Sequence, residues 1–429
     1  MWRIGYRLLL WLAFPFVLAR LWWRGRQEPR YRENPGERFG FYRTTPLRPV
    51  IWLHAVSLGE TRAAEPLLRA LRQRHPECDL LITQMTATGR EAAQQLFGDS
   101  AQVAWLAYDY PSAVRRFLRH FRPRLGILME TEIWFHLVAE CERSRVPLML
   151  ANARMSAGSA RGYAVVGPLV RDALGGLSAV AAQTAEDAER LRSLGAREIE
   201  VTGNLKFDVE SAAGSESLAA QFTQRFGNRR IFLAASTREG EEELLLDALK
   251  RDPLGDALVV IVPRHPQRFE VVAQLLAARG FKFARRSANE PVEADCRIVL
   301  GDSMGEMAAY YRACNVAFVG GSLLSYGGQN LIEACAAGVP VLIGPYTYNF
   351  AQAAESAVAA GAALRVTSAE EVARQARVLL GDAGLRERMG KAGIAFCATH
   401  RGATERTLAV CERLLSGAAD PGSRTRGQG

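Results

Sequence analysis

GGSLLSYGGQNLIEACAAGVPVLIGP, Gly320 to Pro345, is the stretch from which the fold is read. An apolar run, Val316 to Val319, precedes it, and a second, Val339 to Ile343, lies near its end. Strand, glycine-rich turn, helix and strand make a βαβ unit, whose helix N-terminus offers unpaired backbone N–H groups to an anion. Gly320, Gly321, Gly327 and Gly328 let the backbone approach a bulky ligand closely. Asn330 and Glu333 fall in the expected first helical turn, with a spacing that a capping box uses without any ligand. The glycines match neither G-x-G-x-x-G nor G-x-x-x-x-G-K-[ST], so the loop alone names no nucleotide.

Outward from that unit the same alternation recurs. Before it stand Ile231 to Ala235, Leu258 to Val262 and Arg297 to Leu300. The first half of the chain carries Val50 to Val56, Leu80 to Thr83, Val103 to Leu106, Leu125 to Met129, Pro147 to Leu150, Ala179 to Ala182 and Ile199 to Val201. Amphipathic segments such as Thr61 to Arg74 and Ser112 to Phe121 lie between them. Apolar strands without polar alternation, each followed by a helix, predict parallel sheets covered on both faces. The expected fold class is α/β, with two doubly wound, Rossmann-like domains facing a cleft. Ligands of such sheets bind at the carboxyl ends of the strands. The expected domains are residues 25–206 and 228–400, joined by a linker at 207–227, a stretch without a strand and rich in Ser, Ala and Glu. A helix at 401–417 and a disordered tail at 418–429 complete the chain.

The chain has 429 residues, 48% hydrophobic, enough for two sizeable cores. Its net charge is +9, and the excess is uneven. Eight arginines between Arg20 and Arg48 face only Glu28, Glu33 and Glu37. This basic block follows the apolar segment Leu8 to Ala19, with Trp11, Trp22 and Trp23 suited to an interface. The pairing predicts an uncleaved membrane anchor at residues 1–24, spanning or lying in the interface, with anionic lipids as partners. Without a zinc finger or an aromatic-basic signature, nucleic acid is not an expected partner. Seven cysteines show no C-x-x-C spacing and read as buried free thiols of a reducing compartment. Only four lysines occur, Lys206, Lys250, Lys282 and Lys391. In a chain this rich in arginine, a retained lysine is a candidate for a place where a compact ammonium is wanted.

The strand-end loops hold the candidate chemistry. His54 to Pro66, HAVSLGETRAAEP, puts Glu60 at a helix start, either as a first-turn acid favoured by the helix dipole or as a general base. METEIW, Met129 to Trp134, places Glu130 and Glu132 at a strand end, where a buried unpaired carboxylate is costly. TGNLKFD, Thr202 to Asp208, carries Lys206. In the second half, AASTREGEEE (Ala234 to Glu243) reads as another helix N-terminus open to an anion. IVPRHPQRF (Ile261 to Phe269) brings out Arg264 and His265, and GDSMGEM (Gly301 to Met307) puts Gly305 and Glu306 at a strand-to-helix junction. A nucleotide fits these three loops together: anion donors for phosphate, a backbone slot for a base, a carboxylate for ribose. There is no D-x-D, H-E-x-x-H or clustered His/Cys ligand spacing, so neither a metal nor another cofactor is expected. No G-x-S-x-G elbow supports a serine hydrolase.

In order along the chain, HAVSLGE, TATGR, METEIW, GNLKFD, AASTREGEE, PRHPQRF, GDSMGEM and the Gly320–Pro345 stretch resemble the 3-deoxy-D-manno-octulosonic acid (Kdo) transferases of lipopolysaccharide biosynthesis. The resemblance implies the GT-B glycosyltransferase fold, with the acceptor in the first domain and the nucleotide sugar in the second. It implies a metal-independent, inverting transfer of Kdo from CMP-Kdo to lipid IVA at the cytoplasmic face of a bacterial inner membrane. Glu60 would be the general base, with Glu130 and Lys206 stabilising the transition state. Pro263 and Arg264, with His265 adjacent, would contact CMP, as would Met304, Gly305 and Glu306, and Asn330, Leu331, Ile332 and Glu333. The sequence departs from the family pattern at Gln329 and Leu331, where histidine and proline would be expected. The rival readings are a GT-B transferase for another nucleotide sugar and an inactive membrane scaffold. Retention of Glu60, Glu130 and Lys206 counts against the scaffold.

Overall fold

The computed structural model describes residues 2–209, 214–227, 229–289 and 292–419. They divide into two compact units, one built from the chain up to Val209 and again from His400, the other from the intervening chain to Thr399.

In the first unit, helix α1 (Trp2–Gln27) precedes seven strands: β1 (Val50–His54), β2 (Asp79–Gln84), β3 (Ala101–Trp105), β4 (Pro123–Met129), β5 (Leu148–Ala153), β6 (Ala179–Ala182) and β7 (Ile199–Val201). The helices between them are α2 (Leu58–Arg74), α3 (Ala87–Phe97), α4 (Pro111–Phe121), α5 (Phe135–Arg143), α6 (Ala157–Val165), α7 (Gly167–Gly175) and α8 (Ala185–Ser193). All strand pairs are parallel, in the order β3-β2-β1-β4-β5-β6-β7. The two faces of β1 show why its five residues are all apolar or buried. Val50 and Trp52 join the layer holding Phe117, Leu137 and Val170, while Ile51 and Leu53 join Leu67, Leu71 and Phe97 on the opposite side. A strand buried on both faces has no reason to alternate.

The second unit begins with α9 (Ser215–Phe226) and contains β8 (Ile231–Thr237), α10 (Glu241–Arg251), β9 (Leu258–Pro263), α11 (Phe269–Ala278), β10 (Phe283–Arg285), β11 (Ile298–Leu300) and α12 (Met307–Ala313). It continues through β12 (Val316–Val319), α13 (Ile332–Ala336), β13 (Val341–Ile343), α14 (Ala351–Ala359), β14 (Ala363–Arg365), α15 (Ala369–Gly381) and α16 (Ala383–His400). Its sheet is also parallel, in the order β10-β11-β9-β8-β12-β13-β14. The edge strands β10 and β14 were not foreseen. Each has three residues and an exposed or half-exposed side, too short to print an apolar run. Helix α13 is only five residues long, so the expected full helix after the glycine loop is a single turn, and Asn330 stands outside it.

Most of the expected linker at 207–227 is α9, whose Phe222 stacks on Tyr310 of α12 with ring centroids 4.6 Å apart. Linker residues 210–213 lie outside the described residues, as do residues 420–429 of the expected tail. The last helix, α17 (Ala403–Ala419), belongs to the first unit and buries Leu408, Cys411 and Leu415 in the layer with α2.

Helix α1 is long and apolar enough to cross a membrane by length and composition. One stripe of it is docked. The Tyr6 hydroxyl donates to Asp109 at 3.0 Å, the Tyr110 hydroxyl donates to the Leu10 carbonyl at 2.7 Å, and Phe14 meets Tyr110 edge-on. Leu21 packs on Tyr31, Ala87 and Trp105. Tyr6 also lies against Phe135 and His136 at the start of α5. These partners sit at the helix starts that follow β2, β3 and β4, so α1 runs along the carboxyl edge of the first sheet. Its other face exposes Trp2, Leu8, Leu9, Trp11, Leu12, Phe16, Trp22 and Trp23.

Candidate active site

In the first unit the loops after β1, β4 and β7 carry the candidate groups. Ser57 caps α2: its hydroxyl oxygen accepts from the Glu60 N–H at 3.3 Å. The Glu60 carboxylate reaches back, accepting from the Ser57 hydroxyl at 2.9 Å and from the Val56 N–H at 2.8 Å. This is the reciprocal logic of a capping box, a structural role beside the first-turn acid foreseen for Glu60. It does not exhaust the residue. Burial first, then the nearby charges of Glu130 and Glu132, push the Glu60 carboxyl up to about 7, against the opposing pull of the Val56 and Ser57 bonds.

Glu130 follows β4 with φ at 57°, a left-handed backbone unusual for a residue with a Cβ. Strain of that kind gathers where a side chain must be aimed. Glu130 accepts from the Lys206 ammonium at 2.7 Å, with the two side chains only 14% and 17% exposed. Lys206 is set by a short 3-10 turn, Leu205–Phe207, capped by Asn204. That turn is tied to β5 by Asn152, buried and also left-handed (φ 53°), whose Oδ1 accepts from the Leu205 N–H at 3.0 Å. The β5–β6 register shifts at this point, a bulge that re-aims one residue. Glu132 turns to the Trp134 indole N–H at 2.8 Å, and burial raises its pKa. The structure thus brings Glu60, Glu130 and Lys206 to one edge of one sheet. Ser57, Asn152 and Trp134 support them. Ser57 stood three residues before Glu60 and was legible as a cap, whereas Asn152 carried no local signal.

In the second unit the loops after β8, β9, β11 and β12 share the corresponding edge. Pro263 ends β9, buried, and the Arg264 N–H donates to the Thr237 carbonyl at 3.0 Å. The Arg264 guanidinium donates to Gln329 Oε1 at 3.1 Å, so the residue that departs from the family pattern links the arginine loop to the glycine loop. His265 is exposed at the loop tip. Partial desolvation, then Arg238, Arg264 and Arg268, lower its pKa, which marks a concentration of positive charge there. Asn330 donates to Glu333 Oε1 at 3.0 Å and accepts from the Ile332 N–H at 3.1 Å. Leu331 and Ile332 bury their side chains, leaving only backbone for a ligand. Met304 and Gly305 are exposed, and Glu306 accepts a two-pronged ion pair from Arg286 at 2.9 and 3.1 Å. Arg286 and Arg238 were not singled out in the sequence, where two more arginines among fifty carry no signal.

One expectation is corrected. The glycine loop and the start of α10 do not both stand open to an external anion. Glu241, fully buried, accepts from the N–H groups of Gly321 at 2.6 Å and of Ser322 and Leu323 at 2.9 Å, and from the Arg238 N–H at 2.9 Å. An internal carboxylate fills that nest of amides. The loop is also shaped by contact: a Cβ on Gly320 would lie 2.7 Å from Thr237 Cα, and Gly327 holds φ at 89°. Among the described residues no group of three His, Cys, Asp or Glu side chains converges as metal ligands do.

Two parallel Rossmann-like sheets with acidic and basic groups at their carboxyl edges give the chain the GT-B fold of glycosyltransferases. The fold is shared with the UDP-GlcNAc 2-epimerase from Neisseria meningitidis bound to UDP-GlcNAc, at a TM-score of 0.59 and 16% identity over 86% of this chain and all (100%) of that one. Residues 33–209 match the family described as 3-deoxy-D-manno-octulosonic-acid transferase (kdotransferase), and residues 243–396 match glycosyl transferases group 1. The 3-deoxy-D-manno-octulosonic acid transferase of Bordetella pertussis is 44% identical over 96% of this chain and 99% of its own length. That of Haemophilus influenzae is 38% identical over 97% and 99%. The chain belongs to the Kdo transferase family, and it is a glycosyltransferase of lipopolysaccharide biosynthesis.

Proposed function

We propose that the protein moves Kdo from CMP-Kdo to lipid IVA with inversion, using Glu60 as the general base. The observation that carries this is the placing of the Glu60 carboxylate, held by the Val56 N–H and the Ser57 hydroxyl at the sheet edge it shares with Glu130 and Lys206; burial pushes its pKa up to about 7, which suits a base at neutral pH. The bond between the Kdo anomeric carbon and the CMP phosphate oxygen breaks. A new bond forms to the acceptor hydroxyl oxygen, whose proton passes to Glu60, and CMP departs with the electron pair. Lys206, oriented by Glu130, is a compact cation suited to the charge that develops on the departing phosphate. Arg264, with the positive charge around His265, suits the CMP phosphate, and the backbone from Asn330 to Glu333 with Met304, Gly305 and Glu306 suits the rest of the nucleotide. The first unit takes the acceptor and the second the donor. The exposed apolar face of α1 and the basic block after it hold the enzyme to the anionic lipids of the inner membrane's cytoplasmic leaflet, where such an acceptor resides.

The test uses purified protein, lipid IVA and CMP-Kdo, with mass spectrometry of the product. A mass gain of one or more Kdo residues is expected, with inhibition by CMP and not by UDP. Glu60→Gln should lower turnover at least ~10²-fold, the usual scale of general-base catalysis, while CMP-Kdo affinity stays within about twofold. A Glu60→Gln enzyme that turns over within tenfold of wild type takes the base away from Glu60.

A further inference from the structure

We propose that the groove between α4 and α5 is a binding site for the phosphate of an anionic phospholipid headgroup. The proposal deepens the membrane reading above and rests on it. The groove encloses about 430 Å³ and is lined by Arg115, Arg116 and Arg119 of α4 and by Glu140 and Arg143 of α5. Four guanidinium groups thus share one wall-to-wall space with a single carboxylate. That carboxylate pairs with Arg143 at 2.8 Å. Arg116 spends its fork on the Phe39 carbonyl, at 2.9 and 2.5 Å, and lies over the Phe41 ring. Among the described residues no acidic side chain is within ion-pair distance of Arg115 or Arg119, and the only bond Arg119 donates there is to the Arg115 carbonyl. The net positive charge of the groove is therefore uncompensated by protein.

Position selects a lipid as the source of the phosphate. Tyr110, the residue that starts α4, touches Trp11 and Phe14 of α1, at ring distances of 5.7 and 5.6 Å. Trp11 is exposed, and so is Phe41 beneath Arg116. The exposed apolar face of α1 and the basic groove, which Ser112 also lines, thus both border the start of α4, as a bilayer sets acyl chains beside phosphates. None of the residues that line the groove is among those assigned to the reaction.

Flotation of the full-length protein with vesicles tests this, using phosphatidylcholine alone or with one quarter phosphatidylglycerol. Wild type should float far better with the anionic vesicles. Arg115→Gln/Arg119→Gln should lower that partition about twenty-five-fold, from about a fivefold loss per arginine near an anionic surface. Arg115→Lys/Arg119→Lys should keep most of it. Turnover of acceptor dispersed in detergent should be unchanged in both. A glutamine variant that floats like wild type removes the groove from lipid binding. One that loses turnover in detergent assigns the groove to the acceptor's own phosphate, and displacement of wild type by millimolar inorganic phosphate assigns it to the free ion. Wild type that floats with neither vesicle overturns the membrane reading itself, independently of the arginines.

Discussion

Glu60 shows how a capping residue becomes a reactive one. A first-turn glutamate at a helix N-terminus is ordinarily stabilised as the anion. Here burial and two neighbouring carboxylates outweigh that stabilisation. A base acts only when deprotonated, so the rate should fall, with a slope of one, as pH drops through about 7. Glu130→Gln removes one of the charges that raise Glu60, so the inflection should move to lower pH. Lys206→Met unmasks the Glu130 charge, so it should move to higher pH while turnover falls ~10²-fold through lost phosphate stabilisation. A pH–rate profile of the three enzymes, read under kcat/KM conditions, checks both directions; an inflection that stays put in both variants shows that Glu60 does not feel the pair. The stability sign follows. A carboxyl raised from 4.5 to about 7 in the folded state contributes stability that is complete below 4.5 and is lost as pH rises through 7. Glu60→Gln should therefore melt at or above the wild-type temperature at pH 8, with the gap closing by pH 4.

At the scale of the element, the loop after β12 is held from within. Three of its backbone N–H groups converge on Glu241, a residue some eighty positions earlier in the chain, which also accepts from the Arg238 N–H. Glu241→Ala leaves them buried and unpaired, at ~1–3 kcal/mol each, so a loss of about 4 kcal/mol or more in the second unit is expected by chemical denaturation. Formate, a carboxylate small enough for the vacated space, should restore part of it. A loss below about 1 kcal/mol would show that water serves the amides equally well. This element also marks the limit of legibility. The glycines were readable because φ values of 67°, 89° and 78° at Gly321, Gly327 and Gly328 need residues without a Cβ, a local requirement. What their amides bind was not, because Glu241 looked like any acid in a helix's first turn. The strands show the same division. The long central runs announced themselves by being wholly apolar, while β10 and β14, at the sheet edges, had too few buried positions to be seen. Glu60, Glu130 and Lys206 were singled out because each lies in a segment that follows a strand, but Asn152, which fixes the Lys206 turn, sits inside β5 and acts across the sheet.

At the scale of the molecule, the chain does not finish where its second sheet does. Local periodicity predicted a helix near 401–417 but could not say which core it covers, since an apolar stripe fits any apolar groove. The structure returns it to the first unit. The Asp208 carboxylate accepts from the Gly402 N–H at 2.8 Å and the Thr404 N–H at 2.6 Å, and Arg406 donates to the Thr202 carbonyl at 2.8 Å. Leu408, Val410, Cys411 and Leu415 are all buried in the layer shared with α2. The first unit is therefore incomplete until α17 is made. Burying one Leu or Val side chain contributes ~1.5–3 kcal/mol, so Leu408, Val410 and Leu415 together give about 6 kcal/mol, comparable with the whole stability of a domain. A chain ending at Arg401 should accordingly expose the first unit to protease, with early cuts in α2, while the fragments of the second unit survive as in the full-length protein. Limited proteolysis with mass mapping reads this directly. Equal resistance of the first unit in both chains would mean that α17 only decorates a core already complete without it.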